Sequence, residues 1–162
     1  MTSDTITHLL NEGARLLHSQ RPAEALEPLR RAQTLAPDDP DVAINLGGAL
    51  IMTTQWRQAV RVLEAAVAKH PDNSRLWLNL AAAYLGRLET ASLAAQDKAI
   101  AAYQRALALD PVAHSAHYNI ALIYAERGDL NSALTWFTAA LQSNPNDRDA
   151  ALWLRRLEAV KR

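Results

Sequence analysis

The sequence contains no cysteine, so disulfides, thiolate metal sites and cysteine nucleophiles are excluded. Glycine is scarce, five in 162 residues. None of it forms a phosphate-cradling loop or the G-x-S-x-G elbow of a hydrolase. No apolar run approaches the roughly 20 residues a membrane span needs. The residues from Met1 to Thr7 lack a basic stretch followed by an apolar one, so no signal peptide is expected and a cytoplasmic location is. An excess of either charge is missing too, since 17 Lys and Arg balance 17 Asp and Glu. A neutral chain lacks the electrostatic footprint of a nucleic-acid binder, and its tightest basic groups are only Arg30-Arg31 and Arg155-Arg156. What is abundant is alanine and leucine, within a composition 49% hydrophobic and 21% charged that suits a folded helical chain.

Four prolines follow similar helical endings. Pro37, Pro71, Pro111 and Pro145 lie 34, 40 and 34 residues apart. Twelve residues before each is an alanine (Ala25, Ala59, Ala99, Ala133). Eight before is a large apolar residue (Leu29, Leu63, Tyr103, Phe137), and five before another alanine (Ala32, Ala66, Ala106, Ala140). Separations of four and three place these on one helix face, where the small residues admit a second helix. That second stripe is present upstream: Ala43, Leu46, Gly47, Leu50; then Trp77, Leu80, Ala81, Tyr84; then His117, Ile120, Ala121, Tyr124.

This pattern resembles the tetratricopeptide repeat, with the run Trp77 to Tyr84 its best match. The resemblance covers nearly the whole chain. It implies an all-α fold, a right-handed superhelical solenoid of four helix-turn-helix repeats plus a C-terminal capping helix. One domain would span 1–162, with repeats at about 6–39, 40–73, 74–113 and 114–147 and the cap at 147–162. Helix pairs are expected near 4–18/22–36, 40–53/56–69, 74–86/92–109 and 114–127/130–143. Repeat one is the poorest copy, with Glu12 at a position usually apolar, as terminal repeats often are. Pro22 suits a first helical turn, whereas Pro28 should kink its helix or cost a bond. In the cap, Leu154, Leu157 and Val160 are expected to face inward. Repeat three carries six extra residues between Tyr84 and Ala99. Residues 87–98 hold good helix formers and no proline or glycine, which predicts an early start to the second helix, about one and a half turns or ~9 Å.

The side of each first helix away from its core stripe stays largely apolar, where a surface face would turn charged. In the resembled family these helices line a concave groove that binds partners. One position repeats unchanged: Asn11, Asn45, Asn79 and Asn119. An amide offers both donor and acceptor, so such a row suits the backbone of an extended peptide, as in the asparagine ladder of some long members. The adjoining Leu10, Ile44, Leu78 and Tyr118, with Leu122, would then select apolar groups. The competing reading has these amides bonding within the array. Arg75 is the main cation of this face, too little for the carboxylate clamp of chaperone-binding members.

Other chemistry is weakly signalled. His114 and His117 could share a metal at i, i+3, but His117 occupies the core place of Trp77 in the repeat before, and no third ligand has matching spacing. Asp38, Asp39 and Asp41 lack the glycine turn and final Glu of a calcium loop and read as helix-start acids. Trp56, Trp136 and Trp153 fall on second or capping helices, where packing explains them. The expectation is therefore a non-enzymatic module with no metal and no cofactor. It would bind a peptide segment or helix of a partner protein in the groove, as adaptor or assembly factor, with neither nucleic acid nor membrane insertion. The alternative is a self-associating scaffold, a homo-oligomer whose groove or ends take another copy.

Overall fold

Prolines end the second helix of every repeat by the same mechanism. A proline cannot donate, so the residue before it makes the last helical bond. The N–H groups of Ala36, His70, Asp110 and Asn144 donate to the carbonyls of Ala32, Ala66, Ala106 and Ala140 at 2.8–2.9 Å. The computed structural model describes residues 2–160, except the side chains of Thr2 and His114. Among the described residues it holds nine α-helices and one short 3-10 turn, with no strand. They are α1 (Thr2–His18), α2 (Pro22–Leu35), α3 (Pro40–Met52), α4 (Trp56–Lys69), α5 (Ser74–Leu85), the 3-10 turn (Leu88–Thr90), α6 (Leu93–Leu109), α7 (His114–Glu126), α8 (Leu130–Ser143) and α9 (Arg148–Val160). The expected helix pairs are all present. No helix among the described residues is long and apolar enough to cross a membrane.

Starts are fixed by side-chain caps that satisfy otherwise orphaned N–H groups. Asp39 accepts from Asp41 and Val42, Asn73 from Arg75 and Leu76, Ser92 from Ala95, Asp129 from Ser132 and Asp147 from Asp149 and Ala150. Asp39 thus caps α3, while Asp38 pairs with Lys69 on α4. The turn inside each repeat needs one left-handed residue: Gln20 (φ 57°), Thr54 (φ 60°), Gly86 (φ 58°) and Gly128 (φ 76°). Pro28 does not end α2, which runs continuously from Pro22 to Leu35. It leaves the Glu24 carbonyl without its helical donor.

Within each repeat the small residue of the first helix meets the large residue of the second. A Cβ on Gly13 would lie 2.5 Å from the Leu29 side chain, and one on Gly47 2.7 Å from Leu63. Repeats three and four use Ala81 against Tyr103 and Ala121 against Phe137, each pair within one buried cluster. Successive repeats stack through their first helices at the N-terminal end, where α3 packs on both α1 and α5. Between α5 and α7 that stacking is almost absent, and the 3-10 turn of repeat three lies against α7 instead.

The six extra residues therefore correct the expectation of a simple helix extension. Helix α6 begins at Leu93, so part of the insertion lengthens it, and the rest forms the 3-10 turn and the approach to Ser92. Ser92 is the reason, because its hydroxyl caps Ala95 and sets the start there. The cap also departs from expectation. Helix α9 is held by buried Ala150 and Leu157, with Leu154 beside them, and by Trp153 stacked on Phe137 at 5.6 Å between ring centroids. Val160 is 71% exposed rather than inward, since it lies one turn beyond the last buried contact.

Candidate functional site

The face formed by α1, α3, α5 and α7 can be built residue by residue. Leu10, Ile51, Leu78, Tyr118 and Leu122 are half-buried, each packed at one edge into a core cluster and open at the other. Ile44 departs from expectation. It is 6% exposed, within the core of the first three repeats, and cannot select an apolar group on a ligand. The stacking of α5 on α3 covers it.

The asparagine row is divided in its bonding. Asn45 donates to the Asp41 carbonyl and Asn119 to the Ser115 carbonyl, each 2.8 Å away in its own helix. Asn79 donates across the stack to the Ile44 carbonyl of α3, at 3.0 Å. One amide N–H of each is thus engaged within the array, leaving the second N–H and the carbonyl oxygen. The carbonyl oxygens of Asn45, Asn79 and Asn119 accept nothing among the described residues. Asn11 is exposed on α1. Arg75 is also less available than its sequence position suggests, since it stands 4.0 Å from Asp41 of the preceding repeat. Both are well exposed, so the pair adds little stability.

At the C-terminal end the face turns acidic. Ser115, Tyr118 and Asn119 line a recess of about 180 Å³ with Asp147 and Asp149 from the start of α9. Burial, aided by Asp149, raises the Tyr118 hydroxyl above its usual pKa, so it stays a neutral donor. Sequence reasoning missed these two aspartates as neighbours of the row. The signal available was Asp147, a capping residue that must sit where α9 turns back across α7 and α8.

Several of the other residues singled out by the sequence are held by local contacts. Trp77 is half-buried and donates through its indole N–H to the Pro71 carbonyl at 2.9 Å. His117 lies against Trp136 with ring centroids 5.9 Å apart, while the His114 side chain lies outside the described residues. Tyr84 donates to Glu64 at 2.6 Å, and desolvation with that bond raises its hydroxyl to about 12. Gln96, buried to 5% exposure, accepts from Arg127 Nε at 2.7 Å and donates to the Ala91 carbonyl at 3.2 Å. Arg127 also reaches Asp97 (2.6 Å) and the Leu93 carbonyl (3.4 Å), tying repeat four to the inserted turn of repeat three.

Comparison with known proteins supplies the context. Two tetratricopeptide-repeat family models match the chain, over residues 16–84 and 96–148. A BBSome complex member, BBS4, from Xenopus tropicalis is 33% identical over 112 residues, 68% of this chain and 20% of that protein. The peroxisomal targeting signal receptor of Eremothecium gossypii is 31% identical over 113 residues, 70% of this chain and 19% of the receptor. The chain thus spans about a fifth of the length of these relatives. The solved structure of Pseudomonas aeruginosa pilF superposes with a TM-score of 0.83, covering 99% of this chain and 70% of that one. At 19% identity that likeness speaks for the fold alone.

Proposed function

The chain belongs to the tetratricopeptide-repeat family, a protein–protein interaction fold, and we propose that it is a non-catalytic adaptor gripping a segment of a partner protein along the α1/α3/α5/α7 face. The observation that carries this reading is the row of free amide oxygens on Asn45, Asn79 and Asn119. They are set at repeat intervals among half-exposed apolar side chains. Acceptors in a row suit the N–H groups of an extended backbone, and Leu78, Tyr118 and Leu122 offer apolar contact between them. Asp147 and Asp149 favour a basic group at the end of the segment lying over repeat four. Two relatives are named as a member of a complex and as a targeting receptor, both binding roles.

The test is affinity capture from native lysate with the wild type and an Asn45→Ala/Asn79→Ala/Asn119→Ala variant. Three lost acceptors at ~0.5–1.5 kcal/mol each weaken the complex by ~1.5–4.5 kcal/mol, one to three orders of magnitude in Kd. Undiminished capture by the folded variant would move the binding surface elsewhere. A second reading, self-assembly through the chain end, draws on Leu152 (42% exposed) and Val160 (71%) on the outer side of α9. Sedimentation velocity separates the two, because end-to-end stacking grows with concentration and is abolished by Leu152→Glu/Val160→Glu.

A further inference from the structure

The second-helix side of the solenoid carries a groove that the stacking of first helices does not use. It lies between the first turns of α4 and α6, is floored by the end of α5, and encloses about 770 Å³. Its walls are Trp56 and Tyr84, and alanines such as Ala95 leave the space between them open. The inserted residues create it, because the added turn of α6 begins at its rim and Ser92 fixes where that turn starts. Leu93, between two lining residues, is 68% exposed.

The charge in this groove is one-sided although the chain as a whole is neutral. Arg57, Arg61 and Lys98 line it, and no carboxylate does. Among the described residues Arg57 and Arg61 have no hydrogen-bond or ion-pair partner, and Lys98 has only the Tyr84 ring, 5.4 Å from its Nζ. Glu64 accepts from the Tyr84 hydroxyl behind that wall, so one carboxylate stands near three cations and the balance stays positive. Other exposed cations, such as Arg15 and Arg105, also lack a carboxylate partner among the described residues; what sets these three apart is that they converge on one recess with apolar walls. The first turn of α4, which has no side-chain cap, adds the partial positive charge of a helix start.

We infer that this groove is a second docking site, independent of the asparagine face, for an acidic segment of a partner protein that inserts an apolar side chain between Trp56 and Tyr84. Charge complementarity identifies the occupant: three cations line the groove with no carboxylate among the lining residues, which calls for carboxylates, and the apolar walls call for a buried anchor. An adaptor with two faces joins two segments, which a single groove cannot do.

The test is phage selection from a random peptide library against the wild type and an Arg57→Glu/Arg61→Glu/Lys98→Glu variant. All three residues are exposed, so the variant retains its fold, which circular dichroism verifies. The wild type should enrich peptides with clustered Asp and Glu around a Leu, Phe or Trp. Their synthetic copies should bind it at least about tenfold more tightly than the variant. Near 0.5 M NaCl the gap should narrow, because charge attraction is then screened within ~4 Å. The same peptide families from both proteins, or no enrichment from either, would overturn the proposal. So would a wild-type dimer in sedimentation that the three reversals dissolve, since the occupant would then be a second copy. Retention of a single-stranded oligonucleotide by the wild type alone would overturn it too.

Discussion

The junctions between repeats two and three and between repeats three and four are built from equivalent helices and held by different forces. At the first, α5 lies on α3 and α4, and Ile44, Leu50, Val67, Leu76, Leu80 and Ala83 share one buried cluster. Its polar links are scattered: Asn79 donates to the Ile44 carbonyl, Tyr84 to Glu64, and Arg75 stands beside Asp41. At the second, α5 and α7 barely meet, and Leu88 of the 3-10 turn joins a separate cluster with Ile100, Tyr103, Ile120 and Ile123. There Arg127 makes three bonds to the first two turns of α6. The lesson is that six extra residues do not simply loop out of a solenoid. They displace the stacking of first helix on first helix, leave α6 packed on α7, and add a polar clasp beside a separate apolar cluster.

Removing the insertion should break this contrast most severely. Deleting residues 88–93 eliminates the 3-10 turn and the Leu93 carbonyl, so repeat four and α9 should melt apart from repeats one to three. Two thermal transitions by circular dichroism are expected, an effect beyond the ~3 kcal/mol that bounds most single substitutions. This reverses what the sequence suggests, since neighbouring repeats join their helices without those residues. One cooperative transition near the wild-type temperature would show that the inserted segment is dispensable.

Arg127→Ala should come next, at about 1–3 kcal/mol, because it strips the buried Gln96 amide oxygen of its donor. Urea titration measures it, and Arg127→Lys should recover only part of the loss, since one ammonium cannot reproduce the fork to Gln96 and Asp97. Asn79→Ala should cost less, ~0.5–1.5 kcal/mol, as the apolar cluster carries that junction. Asn45→Ala should be the mildest, within about 0.5 kcal/mol, because its bond stays within one exposed helix surface. If Asn45 and Asn79 cost the same, the cross-stack bond contributes nothing to the first junction.

The repeat architecture was legible because its signals are local and periodic. A proline after each second helix, an alanine five residues before it and a small residue opposite a large one are all readable from spacing. The inserted segment was half legible. Its helix-forming composition concealed Ser92, whose hydroxyl is the stop against an earlier helix start. The Arg127–Gln96 clasp was not legible, since the two residues are 31 apart and follow no repeat period. At the candidate site the row of asparagines was visible but the direction of its amides was not. Whether Asn79 turns to a ligand or to Ile44 depends on how closely α5 stacks on α3. That closeness is a property of packing.

Site-specific photo-crosslinking tests the central claim, that the first-helix face holds one partner segment across the clasped junction. A photoreactive benzoylphenylalanine replaces Leu78, before the clasped junction, or Leu122, after it. The control position is Gln104, on the exposed side of α6. In native lysate the account predicts the same partner covalently joined at 78 and at 122, and no such product at 104. Crosslinks at 104 with none at 78 or 122 would contradict it.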